Sequence, residues 1–180
     1  MTKTITTTYY TFEELQALGN EQATKTAKAY IQEQLIDDLL HFRFDEFKDS
    51  VRAFGEIFNC NLTDWSYHPY DRNYIVLDVD NYKYTTNEAK NDAIAEYNIL
   101  NKDDCPLTGV YTDEYIFDAV KAIAGAKLTF NDATKVLKDA CNMALYEYNK
   151  DEVNSLDDME CITEYADANE LYFDKDGNIE

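Results

Sequence analysis

The sequence predicts an α+β fold in which helices dominate, packed with a small antiparallel sheet built on a hairpin over 61–79. Three observations carry this expectation. Apolar residues recur at three- and four-residue steps through most of the chain, and the period drops to two after Asn61. Five glycines and two prolines in 180 residues leave few places for a helix to break. A hydrophobic content of 45% is enough to bury a real interior. The loop-like stretch Asn101 to Gly109 is the expected seam between residues 1–100, holding the N-terminal helices and hairpin, and 110–180, holding the C-terminal helices and an acidic segment, the two forming one compact unit.

The elements follow in order. A Thr-rich leader has strand character, and Thr11-Phe-Glu-Glu14 has the spacing of a capping box, opening a short helix that ends near Gly19. Asn20 caps a longer helix whose Ala23, Ala27, Tyr30, Ile31, Leu35, Leu39 and Leu40 hold a helical period. Its small alanines allow a close neighbour. A third helix is expected from about Asp45 to Phe58, with Phe47, Val51, Phe54 and Phe58 on one stripe.

In the hairpin, Leu62, Asp64 and Ser66 alternate with Thr63, Trp65 and Tyr67, and Pro69 lies in the connection to Tyr74–Val79. Tyr70, Tyr82 and Tyr84 add to an aromatic-rich region, which suits a covered sheet face with a rim of hydroxyls. Thr86 caps a helix from Asn87 to about Leu100. Thr112 starts another, with Tyr115, Ile116, Ala119, Val120 and Ile123 inward and Gly125 near its end. The next begins near Thr129 or Asn131 and reaches about Lys150, with Ala133, Val136, Leu137, Ala140, Cys141, Ala144, Leu145 and Tyr148 at helical spacing. Leu171 to Phe173 and the turn Asp174–Gly177 close the chain as a strand and tight turn that extends the hairpin's sheet.

Charge narrows the function classes. A net charge of −20 and a pI near 4.3 oppose direct binding to nucleic acid or anionic lipid and favour basic partners. For the same reason the aromatic hairpin is a poor platform for stacking bases. Cys60, Cys105, Cys141 and Cys161 form no C-x-x-C pair and have only His41 and His68 beside them, which gives no zinc spacing and suits reduced thiols in a cytoplasm. The N-terminus has no apolar stretch of signal-peptide length, and no run reaches the roughly 18 apolar residues of a membrane span.

Catalytic signatures are missing as well. Asp174-x-Asp176-Gly177 lacks the EF-hand's glycine at the sixth position and its closing glutamate, and no glycine-rich phosphate loop is present. Cys60 and His68 make a weak nucleophile pair. Asp78 and Asp80 would share a strand face, and a Mg²⁺ site there is the one enzyme reading the sequence offers. No cofactor is expected.

The last thirty residues hold eleven acidic side chains against Lys175 alone, half of the chain's net charge in a sixth of its length. Ser155 is the expected cap of a helix carrying Leu156, Met159, Ile162 and Ala166 on one face. Asp157, Glu160, Glu164 and Asp167 recur on the opposite face, and with Asp151, Glu152, Asp158 and Glu170 they make the candidate partner-binding set.

Tyr10-Thr-Phe-Glu-Glu-Leu15 with the alanine-rich helix Glu21 to Leu40, the passage Val51 to Val79, and Asn169-Glu-Leu-Tyr-Phe-Asp174 with Asp176-Gly177 resemble small acidic proteins encoded by bacteriophages, prophages and plasmids. That resemblance implies a mobile-element setting in a bacterial cytoplasm and brings no catalytic residues. In that setting the expected function is an acidic DNA mimic that inhibits a host defence nuclease, anti-CRISPR first and anti-restriction second. Its partner would be a basic nuclease or nucleic-acid-binding effector such as a Cas protein or restriction enzyme. An antitoxin-like or regulatory module with a basic partner is the alternative, and a carboxylate- or metal-dependent enzyme the third.

Overall fold

The computed structural model describes residues 8–79, 86–102, 107–124 and 130–180. The Thr-rich leader up to Thr7, Asp80, Tyr82, Tyr84, Cys105, Gly125 and Thr129 lie outside the described residues, and so does the side chain of Ala133. Helix dominates, as the periodicity implies, with one two-stranded antiparallel sheet among the described residues. The elements are α1 (Phe12–Ala17), α2 (Glu21–Asp38), a π-helical turn (Leu39–Arg43), α3 (Phe44–Ile57), β1 (Cys60–Ser66), β2 (Tyr74–Val79), α4 (Asn87–Lys102), α5 (Thr112–Ala124), α6 (Phe130–Asp157) and α7 (Met159–Ala168).

The chain divides into two compact units, Met1–Leu39 with Glu152–Glu180, and Leu40–Asp151. The stretch 101–109 therefore lies inside the second unit and does not separate two halves. No helix start interrupts the passage from α2 to α3. Neither glycine nor proline occurs between Asp38 and Phe44, so the backbone stays helical and widens through one π turn where two separate helices were expected.

In the first unit, local capping sets the N-terminal helices. Thr11 and Glu14 form the reciprocal capping box of α1, and the Asn20 side chain accepts from Ala23 N at 3.3 Å to start α2. The core gathers Phe12, Leu15, Ala27, Ile31, Ile162 and Phe173, each 1% exposed or less. Phe173 is the joint: Tyr10 and Phe173 exchange two backbone hydrogen bonds of 2.9 Å, and the Phe12 and Tyr30 rings each stand edge-on to its ring at 6.4 Å. Phe173 also bridges Ile179. The closing segment thus pairs with Tyr10, correcting the expectation that it extends the hairpin's sheet.

The small alanines of α2 do admit a close neighbour, which is a turn. Gly177 has φ +85, and a Cβ there would collide with the Ala23 carbonyl oxygen. The Asp174 carboxylate organises that turn, accepting from Asp176 N at 2.9 Å and Asn178 N at 3.0 Å. The hydrogen bonds from Asn178 lead the effects that hold its pKa below the ordinary value.

In the second unit, α3 carries the expected stripe, with Phe47, Val51, Phe54 and Phe58 fully buried. Phe44 stacks on Tyr67 at 4.3 Å and Phe47 on Tyr148 at 4.9 Å, while Phe54 meets Phe117 and Tyr97 edge-on. The hairpin pairs Leu62 with Leu77 and then Asp64 with Val76, a bulge that takes Thr63 out of the register while its hydroxyl donates across to Val76 O at 3.2 Å. The extra residue flips the phase of the alternation. Leu62 and Trp65 therefore share the face of Ile75 and Leu77, whereas strict period two puts them on opposite faces. Trp65 lies along α3, with Lys48 Nζ 4.8 Å from its ring centroid. From α6, the Asn142 amide accepts from Ile75 N at 3.2 Å and donates to Ile75 O at 3.1 Å, satisfying the outer edge of β2.

Gly19 and Gly177 separate backbone strain from crowding, since both have positive φ and only Gly177 touches another backbone. Gly19→Ala is expected to cost about 1 kcal/mol and Gly177→Ala about 3 kcal/mol, as strain and overpacking together. Denaturant melts of the two variants check this; equal losses would show that the Gly177–Ala23 approach carries no weight.

Candidate functional site

The acidic segment forms differently from the sequence expectation. α6 runs on to Asp157, and Ser155 does not cap a helix: its hydroxyl donates to Glu152 O at 2.8 Å inside α6. Asp158 is the cap of α7, extended at φ −71 and ψ 123, with its side chain accepting from Glu160 N at 3.0 Å. The Gln32 amide donates to Leu156 O at 2.9 Å and to Asp157 Oδ1 at 3.2 Å, so the C-terminal end of α6 is held by α2.

Ile162 and Ala166 bury the inner face of α7, with Leu156 buried just before it, whereas Met159 is 38% exposed and leaves that face. Tyr165 fixes the helix to α2 by donating to Asp38 Oδ2 at 2.7 Å; burial first, and then that carboxylate, push its phenol well above its ordinary pKa.

On the outer face Glu160, Glu164 and Asp167 follow one another at four and three residues, all exposed. Glu170 is exposed just beyond the helix. Among the described residues no basic side chain pairs with these four. Their field registers on Cys161, whose thiol is pushed up by burial first and then by the charges of Asp158, Glu164 and Glu160. Two members of the expected set lie elsewhere. Glu152 is buried at 6% exposure and cannot belong to an exposed row, and Asp151 falls in the second unit.

There Asp151 lines a cleft of about 490 Å³ between α5 and α6. α5 supplies Glu114 and Asp118, and α6 supplies Glu147 and Asp151. Each pair is one helical turn apart, in the repeated pattern Glu-Tyr-x-x-Asp at 114–118 and 147–151. That repetition was the available signal for Glu114, Asp118 and Glu147, which sequence reasoning passed over. Ala119, Ala122, Met143 and Ala144 give apolar lining, and Tyr111 and Tyr115 add aromatic walls. Tyr115 donates to Asp151 Oδ2 at 2.8 Å, and its ring stands edge-on to Tyr148 at 5.8 Å. α5 itself is set by burial of Ile116, Phe117, Ala119 and Val120, while Ile123 is 39% exposed, contrary to its expected inward position.

Other candidates hold less chemistry. Cys60 and Cys141 are buried, and burial pushes their thiols up to about 11 and about 12, so neither offers a thiolate near neutral pH. Asp113, fully buried, accepts from Thr108 N at 2.7 Å, Thr108 Oγ1 at 2.9 Å and Gly109 N at 3.2 Å, which makes it the clamp of the loop before α5. No three His, Cys, Asp or Glu side chains converge on a metal position among the described residues. No helix of the described residues is long and apolar enough to cross a membrane. No protein family, curated protein or solved structure matches the chain.

Cys161 offers a direct reading of the field on α7. Replacing Glu160 and Glu164 by Gln is expected to speed its reaction with a dianionic aromatic disulfide several-fold at low salt, because the thiol loses two of the charges that raise its pKa and repel the reagent. Site-resolved mass spectrometry at pH 8 checks this. An unchanged rate would mean the row exerts no effective field.

Proposed function

We propose that this chain is an acidic inhibitor that binds a basic protein, with Glu160, Glu164 and Asp167 of α7 occupying a groove that otherwise grips nucleic acid. In the setting implied by the resemblance to phage and plasmid proteins, the partner is a host defence nuclease, a CRISPR effector before a restriction enzyme. The carrying observation is the row itself, three exposed carboxylates without basic partners among the described residues, on a helix whose other face is anchored by Ile162, Ala166 and the Tyr165–Asp38 hydrogen bond. Helical spacing sets successive Cβ atoms about 5–6 Å apart, comparable to the phosphates along one strand. A rigid row at that spacing can compete for the Lys and Arg side chains of a DNA groove without being a substrate.

A second reading has its own observation. Tyr70 at the hairpin connection is 57% exposed and Tyr74 38%, the kind of aromatic surface through which a regulatory or antitoxin-like module would dock.

The two readings separate by mutation and salt. Asp157 is left intact, since it accepts a hydrogen bond from Gln32. Glu160→Gln, Glu164→Gln and Asp167→Asn together are expected to change stability by no more than about 0.5 kcal/mol. They should abolish the protein's inhibition of DNA binding by a CRISPR effector or restriction enzyme. The wild-type complex should weaken about tenfold or more between 50 and 200 mM salt. A folded triple variant that inhibits undiminished removes the row from the function, and loss of binding on Tyr70→Ala with little salt dependence favours the hairpin.

A further inference from the structure

The cleft between α5 and α6 has a chemistry separate from the α7 row, and we infer that it binds an organic cation of the ammonium or guanidinium class, carried by a protein side chain or by a free polyamine. At about 490 Å³ it has the volume of a small-molecule site. Four carboxylates, Glu114, Asp118, Glu147 and Asp151, line it without a lysine or arginine in the lining, and among the described residues only Glu147 has a cation beside it, Lys150 Nζ at 2.8 Å. An anion would be repelled there by the excess of carboxylates.

The spread of those carboxylates selects among cations. They are arranged as two helical pairs, and no three converge as a metal position among the described residues, whereas a hard divalent ion wants about six oxygens around one point. An elongated cation fits better. Its charged end or ends can reach the carboxylates while the methylene stem lies on Ala119, Ala122 and Met143. Tyr111 and Tyr115, whose rings stand edge-to-face at 6.3 Å, also line the cleft. The Tyr115 hydroxyl already holds Asp151 at 2.8 Å, so part of the site is ordered before any ligand arrives.

The inference stands independently of the proposed function, because it uses only the second unit. Calorimetric titration of the full chain with spermidine, and separately with N-acetyl-arginine methylamide, is expected to show saturable binding at one site for at least one of them. Saturation by spermidine alone identifies a free polyamine as the source, and saturation by the arginine derivative alone a protein side chain; either supports the site. Glu114→Gln with Asp118→Asn should weaken binding at least tenfold. Glu33→Gln with Glu56→Gln, exposed and outside the cleft, makes the same change in net charge and should alter it less than twofold. Ala122→Leu, which fills the cleft without changing charge, should also abolish binding and guards against a misfolded acid variant. Binding that never saturates, that falls equally in both charge variants, or that survives Ala122→Leu would overturn the assignment and leave only diffuse counterion attraction.

Discussion

Thirty-six carboxylates against sixteen lysines and arginines mean that ion pairing cannot hold this chain together, and cohesion has to come from apolar burial strong enough to outweigh self-repulsion. The aromatic content of 14% is where that burial is concentrated. In the second unit the rings of Phe47, Phe44, Tyr67, Tyr148 and Tyr115 touch in succession, and those of Phe54, Phe58, Tyr97 and Phe117 form a second group. Ion pairs such as Arg52–Asp49, Lys150–Glu147 and Lys175–Asp176 join nearby residues on exposed surfaces and contribute little. The carboxylates are thus left over from folding. Among those that folding does use, Asp113 in its loop, Asp174 in its turn, Glu14 and Asp158 at helix starts and Asp38 beside Tyr165 are satisfied by backbone and side-chain donors rather than by cations.

What the sequence made legible is local. The Thr11 capping box, the Asn20 and Thr86 caps and the phenylalanine stripe of α3 depend on residues within one or two turns of each other, and all form as expected. The bulge at Thr63 and the clasp of Asn142 on Ile75 were invisible because each depends on a strand or helix distant in the chain. The junction of α6 and α7 shows the same limit in a small space. Ser155 and Asp158 are both competent caps, and the choice goes to Asp158 where Gln32, over a hundred residues earlier, meets the carbonyl of Leu156.

For the acidic surface, charge and spacing were readable and depth was not. Glu160, Glu164 and Asp167 stand outward as the helical period requires. Glu152, one residue from an exposed aspartate, is turned inward. A carboxylate count cannot distinguish these, because which face of α6 is covered is decided by packing. The cleft acids were obscured for the opposite reason: Glu114 and Asp118 look like ordinary solvated positions until α6 brings Glu147 and Asp151 beside them.

The pairing of Tyr10 with Phe173 also has a consequence in time. The first unit is discontinuous, and its joint closes across more than 160 residues, whereas every residue of the second unit lies between its two parts. On a ribosome α1 and α2 emerge first and must wait, with Phe12 and Tyr30 lacking the ring they pack against, until Phe173 has been made. The intervening 40–151 can meanwhile collapse on its own aromatic core, shortening the loop that the Tyr10–Phe173 contact has to close. Order of synthesis and order of completion are therefore reversed for the N-terminal helices.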